Sequence, residues 1–187
     1  MQKLLEVVSP KALASASNPA AFALKSEDPE ASQVLPMDGN AQTTAPKDLL
    51  IVSPYTSRPH LLDLTLLNHA QILLSKALTI LAPVAASYAT SPYFSSFNWK
   101  AVFNLLAASA KADGYAWKEQ YFYVIIFRSQ IPRSTSRSDL AALDMTAHAE
   151  AMAGNGLLKY WFGTPDSEGR NLATCGCLSA LLSSASF

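Results

Sequence analysis

The sequence predicts an α+β domain, on three observations. Tyr121–Phe127 is an unbroken run of strand-favouring residues. Leu157–Phe162, the polar stretch Thr164–Gly169 and Asn171–Cys175 read as strand, turn and strand. Helical spacing of apolar residues lies between and before these strands, over 71–81, 99–112 and 137–153.

Residues 1–50 are expected to form a largely disordered arm. The stretch 9–47 is rich in Ala, Ser, Pro and Asn, and Pro10, Pro19, Pro29, Pro36 and Pro46 break it into pieces. Such a stretch buries too little apolar surface to offset its ordering entropy. A short helix is expected over Met1–Val8. Order begins near Ile51. In His60–Leu67 the alternation of Leu62, Leu64 and Leu66 with Asp63 and Thr65 predicts a strand. The stripe Leu73, Leu74, Ala77, Leu78 and Leu81 predicts a helix over 71–81, stopped by Pro83.

The loop 85–97 carries Tyr88, Tyr93, Phe94 and Phe97. Exposed aromatic clusters cost solubility, so this loop is expected to pack across the core. Asn98 is a suitable N-cap for a helix over Trp99–Ala112, with Val102, Phe103, Leu106 and Ala110 as its buried face and Gly114 at its end. Tyr121–Phe127 reads as a central strand buried on both faces. Ser136 and Asp139 have capping-box spacing and start a helix to about Ala153. Its expected buried face is Leu140, Leu143, Ala147 and Ala151. Gly154 and Gly156 end it. The strand pair around Thr164–Gly169 follows, so the C-terminal half reads β-α-β-β. That is a partial ferredoxin-like or α+β-barrel unit, preceded by a strand and two helices. The single domain is placed at 51–175, with an atypical uncharged tail at 176–187 that is too short and uniform to supply a closing helix and strand.

With 187 residues, 14 basic and 14 acidic, the chain has no net charge and no basic stripe. This argues against nucleic acid or a membrane surface as partner. Cys175 and Cys177 are too close for an ordinary disulfide, no sequon occurs, and Glu6 interrupts the only apolar N-terminal run. An intracellular, cytoplasmic protein is expected. An open sheet edge or face favours a homodimer, and loss of the closing elements predicts poor solubility.

No phosphate-binding glycine loop, nucleophile elbow or His-Glu-x-x-His motif is present. Asp144 and His148 are one helical turn apart, so a carboxylate and an imidazole share a face. That pairing suits general acid–base chemistry and equally a local i,i+4 contact. Arg128 and Arg170 lie at strand ends, where arginine clamps an anion or pairs with Asp166, Glu168 or Glu150. Lys159 and Trp161 share one strand face and, with Tyr123, could grip a flat or anionic ligand. The alternative for Lys159 is a rim position where its amine reaches water. The cysteines and the distant His60, His69 and His148 lack zinc spacing, so no metal and no cofactor are expected. Three readings remain open, the first two being a small-molecule enzyme or binder using Asp144 and His148 with Arg128, Lys159, Trp161 and Arg170, and a non-catalytic interaction module docking through its arm and aromatic loop. A truncated gene product without function is the third.

Phe127–Gln130, Leu157–Gly163 and Pro165–Cys175, with Phe97–Trp99 and Tyr115–Glu119, resemble the UPF0643-type family of uncharacterised fungal proteins over roughly residues 55–175. The resemblance implies that the last strand should continue past Cys175 into a helix and a final strand. This chain departs at Gly176, and its tail has the look of a shifted reading frame or an unspliced intron. The resemblance implies a fold and an organism class, with no activity to carry over.

Overall fold

The computed structural model describes residues 48–177 and the backbone of residues 3–8. The arm at 9–47 and the tail at 178–187 lie outside the described residues. The ordered elements are β1 (Lys3–Val8), β2 (Leu49–Leu50), β3 (Leu62–Asp63), α1 (His69–Leu78), α2 (Tyr93–Ser96), α3 (Trp99–Ala112), β4 (Tyr123–Gln130), α4 (Arg137–Ala153), β5 (Leu157–Phe162) and β6 (Arg170–Cys177). The α+β class holds.

The main sheet has the order β1-β4-β6-β5, with every pair antiparallel. The β-α-β-β succession is present as β4-α4-β5-β6, with β6 lying between β4 and β5. A closing helix and strand are not among the described elements, and the slot beside β4 is taken by β1 from the other end of the chain. Residues 3–8 therefore form a strand, not the expected helix. Their Val and Leu residues suit an edge pairing as well as a helix turn.

Two further expectations change. The strand over His60–Leu67 shrinks to β3, because the Asp63 carboxylate accepts from the Thr65 amide at 2.9 Å and the Thr65 hydroxyl at 2.6 Å. Asp63 thereby caps a 3-10 turn over Leu64–Leu66. The final strand runs on through Gly176 to Cys177.

Alternation divides the sheet into two faces. Ile126, Thr174 and Trp161 are cross-strand partners on one face. Trp161 meets Phe97 and Tyr88 edge-on at 5.0 and 5.2 Å, and the Tyr93 hydroxyl is 2.8 Å from the Thr174 hydroxyl. The aromatic loop therefore covers this face, as expected of it. Gly163 permits the approach: a Cβ there would lie 2.2 Å from the Tyr88 hydroxyl oxygen. Helix α1 is closed by a capping box, with Asn68 accepting from the Gln71 amide and Gln71 accepting from the Asn68 amide. Its stripe Leu73, Leu74, Ala77, Leu78 and the following Leu81 is buried as the spacing requires.

The opposite face carries Ile125, Cys175 and Tyr160, and faces α4. Helix α4 begins as expected, with Ser136 accepting from the Asp139 amide. Its rotation differs. Leu143 is 70% exposed and Ala147 is exposed, whereas His148 and Met152 are the buried residues. Its inward face is the Asp144, His148, Met152 row. In α3, Val102 and Ala110 are buried but Phe103 is 37% exposed. Asn98 caps no amide of α3; its side chain bridges the Ala82 amide and the Ile80 carbonyl.

Candidate functional site

The inward row of α4 makes the polar centre of the domain. Its partners come from the segment 52–60, which lies along the free edge of β5. The Tyr160 amide donates to the Val52 carbonyl at 2.9 Å, and Val52 is fully buried. A turn in which the His60 amide donates to the Ser57 carbonyl at 2.9 Å then brings Tyr55 and His60 over α4.

The Asp144 carboxylate accepts from two phenols. Tyr55 donates to Oδ2 at 2.5 Å, and Tyr160 donates to Oδ1. Burial, then the hydrogen bond to Asp144 and its charge, push both hydroxyls well above the ordinary tyrosine range, so both stay protonated donors. The His60 and His148 rings meet through their Nδ1 atoms at 3.0 Å, and the Tyr55 ring lies 4.7 and 5.1 Å from the two imidazoles. Both histidines are buried, at 5% and 4% exposed, and His148 Nε2 has no hydrogen-bond partner among the described residues. Burial, then the charge of His60, lower His148 to about 4; Asp144 opposes this. The imidazole is neutral at physiological pH.

With His148 neutral, the Nδ1–Nδ1 contact holds one proton between the rings. If His60 donates, His148 carries its own proton on Nε2; if His148 donates, its Nε2 is a free acceptor. The two arrangements interconvert when one proton crosses the 3.0 Å contact while one Nε2 atom gains a proton and the other ring's Nε2 loses one. The pair can thus take up a proton at one ring and release it at the other.

Asp144 and His148 share this site, but the carboxylate engages two tyrosines while the imidazole engages His60. The other four candidates do not join it. Arg128, on the face covered by the aromatic loop, donates to the carbonyls of Ala89 at 2.5 Å and Ser91 at 2.7 Å. It holds the turn 86–92 and pairs with no carboxylate among the described residues. Arg128→Ala should cost about 1.5–2 kcal/mol in urea unfolding, and lysine should not restore it, because one planar fork serves two carbonyls. Arg170 lies in the β5–β6 hairpin and pairs with Asp166 at 2.8 Å and Glu168 at 3.0 Å. Trp161 packs on Tyr88 and Phe97. Lys159 shares its face, is 9% exposed, and has no hydrogen bond or ion pair among the described residues; burial lowers its amine. Tyr123 pairs with Cys177 on the α4 face, so it does not meet Lys159.

Spacing brought out Asp144 and His148 but not Tyr55, His60 and Tyr160. Their separations from those two residues are 89, 88 and 16 positions. The one signal present was three polar-tipped rings flanking ordinary strand and turn sequence, which is common in cores. Among the described residues, no three His, Cys, Asp or Glu side chains gather as a metal-ion set. Likewise, no described helix is long and apolar enough to cross a membrane. Cys175 and Cys177 are buried, with their sulfurs 3.4 Å apart.

Comparison with known proteins adds one family. A family model described as PB2B2.08-like matches residues 51–179. The protein named UPF0643 protein PB2B2.08, from Schizosaccharomyces pombe, is 35% identical over 130 residues, covering 66% of this chain and 59% of the relative. The chain thus spans less than two-thirds of that relative's length. No solved structure matches.

Proposed function

Since the chain belongs to the PB2B2.08-like family, and the matched stretch 51–179 contains Tyr55, His60, Asp144, His148 and Tyr160, we propose that this domain binds a small polar molecule at the α4–β5 cluster and moves a proton on it through His148. The observation that carries the reading is the buried His148 Nε2 without a partner. Leaving such an atom unpaired costs about 1–3 kcal/mol, which a ligand hydroxyl or carbonyl would relieve. In this reading His60 receives or returns the proton across the Nδ1 contact. Asp144, held by Tyr55 and Tyr160, fixes the inward face of α4 and sets the charge beside the imidazoles. Arg128 and Arg170 are left out, since both are engaged elsewhere.

The test is a ligand-observed NMR screen of small hydroxy and keto compounds against the full chain. At least one compound should bind, weaken about tenfold or more with His148→Gln, and keep its affinity with Arg170→Ala. A screen without binders, or binders indifferent to His148→Gln, would reject the reading.

A further inference from the structure

The expected docking surface, the aromatic loop, is committed to the core, with Tyr93 and Phe97 buried. Among the described residues, a different apolar face is open. The outer side of α3, with Trp117, forms a groove of about 210 Å³ lined by Phe103, Leu106, Ala107, Ala110 and Trp117. Phe103 and Trp117 are 37% and 40% exposed. Exposed large apolar side chains gathered on one patch, rather than scattered singly, mark a contact surface.

The charge around the groove selects the partner. Lys100, Phe103, Ala107 and Lys111 fall on one stripe of α3, at spacings of three, four and four. A lysine therefore stands at each end of the groove. Helix α3 contains no acidic residue. The next acids along the chain are engaged: Asp113 pairs with His69 at 3.0 Å, and Glu119 accepts from Tyr121. Neither Lys100 nor Lys111 has an ion-pair partner among the described residues. The groove is smaller than the roughly 300–1,000 Å³ of small-molecule pockets. It has room for one or two side chains presented by a larger partner.

We infer that this face docks an acidic amphipathic helix of another protein: large apolar side chains one turn apart fill the groove, and carboxylates on either side meet Lys100 and Lys111. The inference is independent of the His148 site, which lies against the sheet face covered by α4.

The experiment uses the full chain and two labelled helical peptides read by fluorescence anisotropy. Each carries two leucines one turn apart, flanked by glutamates in one and by lysines in the other. The glutamate peptide should bind and the lysine peptide should not. Phe103→Ser should weaken binding about tenfold. Lys100→Glu with Lys111→Glu should reverse the preference, so that the lysine peptide binds. Binding of neither peptide, or affinity unmoved by charge reversal, would overturn the inference. So would a concentration-dependent dimer in sedimentation that Phe103→Ser abolishes, since the occupant would then be a second copy. Capture by phosphatidylserine vesicles with no peptide binding would overturn it in favour of a membrane surface.

Discussion

Asp144→Ala is expected to destabilise the domain by ~2–4 kcal/mol, far more than truncation of a solvated helix position would. The carboxylate is the acceptor for both Tyr55 and Tyr160. Hydrogen bonds to a charged acceptor are stronger than neutral ones, and each phenol left without its partner costs ~1–2 kcal/mol. The two phenols come from different elements, the 52–60 segment and β5, so Asp144 joins three parts of the domain through one side chain. Asp144→Asn should cost roughly half as much, since one amide oxygen still accepts. Tyr55→Phe and Tyr160→Phe should each cost less than Asp144→Ala. Either one combined with Asp144→Ala should be strongly non-additive, because the shared acceptor is already gone. Urea unfolding measures all of these. A change within ~0.5 kcal/mol for Asp144→Ala would mean the carboxylate is solvated and the cluster is not a unit.

The second large effect is acid sensitivity. His148 titrates near 4 in the folded chain and near 6.5 when unfolded. Its folded value is the lower one, so the unfolded chain binds the proton first as pH falls. The stability contributed by keeping His148 neutral is therefore complete above about pH 6.5 and is lost as pH falls towards 4. Its upper limit is ~3 kcal/mol over that interval. The wild-type urea midpoint should fall steadily between pH 7 and pH 4.5. In His148→Gln that slope should flatten, although the variant starts lower because His60 has lost its Nδ1 partner. Equal slopes in the two proteins would place the acid-sensitive group elsewhere.

These expectations rest on features only partly legible in the sequence. The strands at 121–127, 157–162 and 171–175 were readable because long apolar or alternating runs bounded by turns leave few alternatives. Helix α1 was readable because Leu73, Leu74, Ala77 and Leu78 fall on one stripe. The rotation of α4 was not. Leu140 and Leu143 offered an apolar stripe, but Leu143 is exposed while the Asp144–His148–Met152 row faces inward. An alanine-rich helix has little amphipathic signal, so the polar cluster, not apolar burial, sets its orientation. The strand expected at 60–67 failed for a local reason: Asp63 bonds the Thr65 amide and ends the extended run. Within the site, Asp144 and His148 were visible because helical spacing is local. Tyr55 and His60 reach it only through the fold, by way of the Val52 contact at the β5 edge.

The central claim is that His60 and His148 form one buried, proton-sharing pair beside Asp144, with His148 neutral. The most direct test is a 15N NMR titration of the histidine side chains in the full chain, from pH 8 towards 4. The account predicts that His148 stays neutral down to about pH 4. It also predicts that His60→Gln alters the His148 ring signals. Independent titration of His148 near 6.5, unaffected by His60→Gln, would contradict it.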